Sequence, residues 1–161
     1  DDHAVLADRL AAHLATHEAM AEKKYAGFIE YRKLFPEYGF VFCGDSGQGD
    51  AIAGKAMMGH PGGGMRAVFI HDVVHTPPAG RDDWRSHGVW FHDTYAGAAA
   101  DAHALGLLDL AALRRVAAAT ITDMAGVPFR DPAQREGRLT DLGRDVDRVN
   151  ALLPPGERLA L

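Results

Sequence analysis

The chain has 161 residues, of which 47% are hydrophobic and 24% charged, and its formal net charge is −5. That length suits one domain burying roughly two-thirds of its unfolded surface. The composition argues against disorder, and the negative balance excludes a global positive field for nucleic acid or anionic lipid. A phosphorylated substrate would therefore need local devices to hold it: a cation, a helix N-terminus or a lysine.

No run of about 18 apolar residues is present to cross a membrane. The one cysteine, Cys43, excludes an internal disulfide. It is expected as a buried, inert thiol in a reducing, cytoplasmic setting. The opening Asp1-Asp2-His3, without Met or leader, reads as an N-terminally incomplete chain.

Val5 to Phe35 is predicted helical. Leu6, Leu10 and Leu14 recur every four residues, and Tyr25, Phe28, Ile29 and Leu34 make a second register after Lys23-Lys24. Pro36 stops the helix, because its ring cannot continue the hydrogen-bond ladder. Phe40-Val41-Phe42-Cys43, between Gly39 and Gly44, has the pattern of a strand buried on both faces of a parallel sheet. Ala51 to Met58 is expected as a short helix, His60 to Gly64 as a turn, and Arg66 to His71 as a second buried strand. Strand, helix and strand in succession argue for a βαβ crossover.

Thr76 to Ser86, with Pro77, Pro78 and Gly80, is expected as an exposed polar loop. Gly88 to Phe91 is a candidate third strand. Beyond Tyr95 the chain reads as helical: Ala96 to Leu105, a helix capped by Asp109 and running to about Met124, and a last one opened by Asp131-Pro132. Pro154-Pro155-Gly156 ends ordered structure or starts a tail. The expected architecture is a single α/β domain over residues 1–161: a Rossmann-like parallel sheet flanked by helices, with its core over about 20–105 and a helical C-terminal extension over about 106–153.

The loop Gly44-Asp45-Ser46-Gly47-Gln48-Gly49-Asp50 follows the first predicted strand. Ligands of parallel sheets bind beyond the carboxyl ends of the strands. Two aspartates in one short glycine-bearing loop there can hold a hard cation, and Mg²⁺ suits one or two carboxylates that share it with water and phosphate. The bland alternatives are a surface turn, with Asp50 capping the next helix.

The stretch Lys24…Leu34-Phe35-Pro36…Phe40-Val41-Phe42-Cys43-Gly44-Asp45-Ser46-Gly47-Gln48-Gly49-Asp50, followed by Ala67-Val68-Phe69-Ile70-His71-Asp72-Val73, resembles the catalytic domain of the actin-patch-associated phosphatidate phosphatase family, within the haloacid dehalogenase superfamily. The resemblance covers about residues 20–75 and weakens through Phe91-His92-Asp93-Thr94-Tyr95-Ala96. It implies a haloacid-dehalogenase-type fold and Mg²⁺-dependent hydrolysis of phosphate monoesters through an aspartyl-phosphate. The substrate would be a phosphorylated small molecule or a lipid such as phosphatidate.

By the same resemblance Asp45 and Asp50 would hold the metal, and Lys24 would offset charge on the nucleophile and the transferring phosphoryl group. Ser46 and His71 would line the substrate site; His71 stands where relatives tend to carry arginine, and its alternative role is a hydrogen bond to a loop. The family's nucleophile motif, Asp-x-Asp-x-Thr ahead of Lys24, is missing from this sequence. Asp145-Val146-Asp147 has an Asp-x-Asp pattern but falls in a polar helical stretch and is expected on a helix surface. The second reading is thus a non-catalytic binding or scaffold module that retains only the cation loop.

Other motifs fall short. Gly44-Asp45-Ser46-Gly47 is shared with the nucleophile loop of trypsin-like proteases, without the following Gly-Pro or the cysteines. Gly49 to Ala56 is one residue short of a phosphate-cradling loop, because Ala56 stands where a hydroxyl must bind Mg²⁺. Lys55 is then a helix-surface charge. Nine histidines and one cysteine lack paired zinc-ligand spacing.

Overall fold

A computed structural model describes residues 2–161, with side chains from residue 11 onward. The element order is α1 (Asp2–Leu34), β1 (Phe40–Asp45), α2 (Asp50–Met58), β2 (Met65–His71), α3 (Pro78–Ser86), β3 (Val89–His92), α4 (Tyr95–Ala104), α5 (Leu110–Met124), α6 (Pro132–Leu152) and a 3-10 turn, Pro155–Glu157. The chain divides into two compact units, residues 1–91 and 92–161.

The first unit is α/β, with a three-stranded parallel sheet in the order β1-β2-β3. The pairing of β1 with β2 sets Phe42 opposite Val68, Cys43 opposite Phe69 and Asp45 opposite His71. The helix α2 between them makes this the expected strand–helix–strand unit. Four consecutive residues of β2, Ala67 to Ile70, are buried, which explains their unbroken apolar run.

The first strand departs from expectation. It lies at the sheet edge with one neighbour, and Val41 and Cys43 are exposed while Phe40 and Phe42 are half-buried. An apolar run alone does not separate a central strand from an edge strand. Cys43 is accordingly not a buried thiol, although partial removal from water still raises its pKa.

Helix α1 packs through Ala21, Tyr25, Phe28 and Ile29 against Ala53 and Met57 of α2 and against Phe40 and Phe42. Leu14 and Leu34 are exposed, so the buried stripe is narrower than the sequence pattern suggested; Leu6 and Leu10 lie outside the residues whose side chains are described. A second cluster joins Ala51, Val68, Ile70, Val89 and Phe91, with Trp84 of α3 packed on it. Within the segment expected as an exposed loop, Pro78–Ser86 is instead a helix, though none of its residues is buried. Pro78 occupies the first turn of α3, where a missing N–H costs nothing.

The second unit is all-helical. Ala96, Ala99 and Ala100 of α4 meet Leu113 and Ala117 of α5 and Leu142, Val146 and Val149 of α6. Asp109 and Asp131 cap α5 and α6 through their carboxylates, as the sequence signals predicted. The chain after α6 is not a loose tail: Leu159 exchanges two hydrogen bonds with the Asn150 side chain and packs on the helical core.

Asp145, expected on a helix surface, is buried at 2% exposure, whereas Asp147 is exposed. The Asp145 carboxylate accepts from Thr94 Oγ1 at 2.8 Å and from Arg144 Nε at 3.2 Å, and it lies where a Cβ on Gly97 would be, 2.6 Å from its Oδ2. Thr94 in turn caps α4, so this acid pins α6 to the start of α4. A buried carboxylate is tolerated because it is both paired and hydrogen-bonded.

Truncating the fully buried Leu113 to alanine is expected to cost about 2–5 kcal/mol. Urea unfolding followed by far-UV circular dichroism measures it, since both tryptophans, Trp84 and Trp90, lie in the first unit.

Candidate cation and phosphate site

At the carboxyl end of β1 the chain turns through Ser46–Gly49 into α2. Gly49 is the N-cap of α2 with φ +75°, a left-handed conformation that only glycine adopts without strain. Asp50 is thus the first helical residue rather than the cap. Its carboxylate turns back instead of capping its own helix: Oδ2 accepts the Asp45 N–H at 3.1 Å, and Oδ1 forms an ion pair with Lys24 Nζ. The carboxylate lies across Gly44, where an added Cβ would sit 2.7 Å from Asp50 Cβ. A larger residue at position 44 would displace it.

Lys24 reaches this point from α1 and also donates to the Gln48 carbonyl at 3.5 Å. The structure therefore brings Lys24, Asp45 and Asp50 together although Lys24 and Asp50 are 26 residues apart in the chain. Asp45 folds over its own loop, with Oδ1 accepting the Gly47 N–H at 2.7 Å. Its other oxygen has no hydrogen-bond partner among the described residues. His71 is the register partner of Asp45 on the adjoining strand, so the two side chains leave the same face of the sheet.

Ser46 is placed differently from a substrate-lining residue. Its hydroxyl donates to Asp72 Oδ1 at 3.1 Å and accepts the N–H groups of Val73 and Val74 at 2.9 and 3.2 Å. That uses its one proton and both lone pairs.

Sequence reasoning missed Asp72, Thr76 and Arg81. Asp72 is completely buried directly after β2. Its carboxylate accepts from the Thr76 N–H at 2.7 Å, from Arg81 Nη2 at 2.7 Å and from Arg81 Nε at 3.2 Å. Burial alone would raise its pKa, but the hydrogen bonds from Arg81, Thr76 and Ser46 with the Arg81 charge outweigh it and hold the carboxyl below the usual aspartate range. The available signal was an acid at the end of a buried strand followed, nine residues on, by an arginine; it is recognisable only once Pro78–Ser86 is known to be a helix.

Whether this donor set suits Mg²⁺ turns on its chemistry. Asp45 and Asp50 offer hard carboxylate oxygens from a single loop, in keeping with a cation that takes one or two carboxylates and keeps several waters. Lys24 holds one oxygen of Asp50, so a cation would share that acid with the ammonium group. Among the described residues no group of three or more His, Cys, Asp or Glu side chains is gathered to hold a metal ion. A Mg²⁺ ion held there would have Asp45 and Asp50 as its protein ligands and would take the rest of its shell from water and substrate.

Compared with family models, with curated proteins and with solved structures, the chain has no match.

The lowered pKa of Asp72 sets a sign. A carboxyl whose folded pKa lies below its unfolded value, about 3.9, contributes stability that is complete above that value and lost as pH falls through the lowered one. Arg81→Gln keeps the burial and removes the cation. It should lower stability at pH 7 and shrink the loss between pH 7 and the acid range. Urea midpoints from the fluorescence of Trp84 and Trp90 check both effects.

Proposed function

We propose that residues 1–91 form the cation-binding half of a Mg²⁺-dependent phosphatase site of haloacid dehalogenase type, acting on phosphate monoesters. The observation that carries this reading is the convergence of Lys24 Nζ, the Asp50 carboxylate and the Asp45 N–H at the carboxyl end of β1. These are the residues that the resemblance to the phosphatidate phosphatase family singled out. The convergence supports the reading because such a site needs hard anionic ligands and a nearby fixed cation.

In this reading Mg²⁺ would neutralise phosphate oxygens and orient the phosphoryl group. Asp45, through its oxygen that holds no loop N–H, and Asp50 would be the cation's protein ligands. Lys24 would stabilise the charge developing on the transferring group, a role for which its tie to Asp50 and the Gln48 carbonyl orients it. His71, level with Asp45, would face the ester.

The nucleophile, an aspartate displacing the alcohol to give an aspartyl-phosphate that water then hydrolyses, would come from outside residues 1–161. A strand carrying it would pair with β1, which is the outer strand of the sheet among the described residues. The substrate is a soluble phosphorylated molecule or a lipid headgroup. No helix among the described residues is long and apolar enough to cross a membrane.

A second reading is favoured by one specific observation. Residues 1–161 contain no Asp-x-Asp-x-Thr, and Lys24 already neutralises Asp50. A module that binds a cation or phosphate group without turnover would look the same.

The two readings separate in one assay. The protein including any coding sequence upstream of Asp1 is given p-nitrophenyl phosphate with Mg²⁺, alongside its Asp45→Asn and Lys24→Met variants. A phosphatase should lose at least about 100-fold in kcat/KM in either variant and all Mg²⁺-dependent activity on chelation. Activity equal in Asp45→Asn and the parent would remove Asp45 from the mechanism. Mg²⁺ binding with no turnover would select the non-catalytic module.

A further inference from the structure

Two loops and a helix meet at Asp72. Its carboxylate takes the Ser46 hydroxyl from the loop after β1, the Val74 and Thr76 N–H groups from the loop after β2, and the Arg81 guanidinium from α3. Ser46 answers by accepting the Val73 and Val74 N–H groups. Ser46 is the immediate neighbour of Asp45, and its own N–H is held by the His71 carbonyl at 3.0 Å. The peptide carrying Asp45 is therefore fastened on its C-terminal side by a buried, ionised anchor. Asp45 itself then closes the loop through the Gly47 N–H.

We infer that Asp72 is a positioning residue: acting through Ser46, and kept in place by Arg81, it holds the loop Asp45–Gly49 in the conformation that presents the Asp45 carboxylate. The inference rests on the reading of that loop as the cation site. It assigns Ser46 and Asp72 to one device rather than Ser46 to the substrate.

The physical reason is the number of bonds that depend on one contact. The Ser46–Asp72 bond is charge-assisted and sits against a carboxylate with no exposed surface, so water cannot replace it. Without the serine hydroxyl, Val73 N–H loses this partner, Val74 N–H keeps its 3.2 Å bond to Asp72, and the hydrogen bonds that tie Ser46 to Asp72, Val73 and Val74 are gone. With asparagine at 72 an acceptor for Ser46 remains, but the charge that secures Arg81 and the Thr76 N–H is gone. A ligand loop that samples several conformations binds its cation more weakly by the fraction of time spent in the competent one.

The test uses the whole 161-residue chain and Mn²⁺ alone as probe. Binding is read by loss of the free-ion electron paramagnetic resonance signal, and loop order by amide hydrogen exchange at Gly47, with the buried Ile70 amide as control for global opening. Asp45→Asn should abolish Mn²⁺ binding, which checks the cation reading itself. Ser46→Ala and Asp72→Asn should each weaken Mn²⁺ binding about 10-fold and speed Gly47 exchange about 10-fold, with Ile70 changed by less than about twofold. The double variant should be no worse than the worse single one, because both remove the same link. Ser46→Thr, which keeps the hydroxyl, should restore most of the affinity.

Unchanged Gly47 exchange in Ser46→Ala and Asp72→Asn, or an equal rise at Gly47 and Ile70, would overturn the inference and leave Asp72 a mere support for α3. If the parent chain binds no Mn²⁺, the cation reading fails, and the Gly47 and Ile70 rates alone decide whether Asp72 positions the loop.

Discussion

The backward turn of the Asp50 carboxylate organises the first unit. An acid in the first turn of a helix is favoured by the helix dipole wherever it points. Here it leaves the helix axis, crosses Gly44 and binds the Asp45 N–H and Lys24. One side chain thereby joins α1, the end of β1 and the start of α2. Glycine at 44 is a condition of this contact, because the carboxylate occupies the space a side chain would need. Glycine at 49 is a second condition, since the left-handed turn there lets α2 begin directly at Asp50. The contact is partly buried and charge-assisted, worth about 1–3 kcal/mol.

From that point outward the loops after β1 and β2 form one layer at the carboxyl end of the sheet. Asp50 and Lys24 secure it on the α1 side, and Asp72 and Arg81 secure it on the α3 side. Asp45 lies between the two anchors. This distribution explains why two acids so near each other have different partners. Asp50 is set against a flexible ammonium group that can yield, whereas Asp72 is fully buried beneath a guanidinium fork and two loops.

The second unit solves a different problem with the same chemistry. The alanine-rich face of α4 allows close approach of α5 and α6, and one acid, Asp145, fills the gap above Gly97 where α6 meets the beginning of α4. Arg144 and Arg148 pair with it and also with Asp93 and the buried Asp101. This is an acid used for docking one helix on another. It shows why an Asp-x-Asp pattern has no chemical meaning until the burial of each aspartate is known.

Much of the layout was legible from residue order alone. Apolar runs bounded by glycine marked β1 and β2, Asp109 and Asp131-Pro132 marked the starts of α5 and α6, and the glycine-rich acidic loop marked the site. Each is a short-range signal, set by side-chain period, turn conformation or a cap within a few residues. What lay beyond reach were choices between partners distant in the chain: that β1 is an edge strand with Val41 and Cys43 exposed, that Pro78–Ser86 folds as a helix whose Trp84 packs on the sheet, that Ser46 bonds Asp72, and that Lys24 meets Asp50. Those outcomes depend on which surfaces come to lie against one another, and a charge or hydroxyl takes its role from the partner that packing supplies. The linear chain thus determined the elements and the acidic loop, and tertiary packing decided how deeply each acid is buried and which partner it takes.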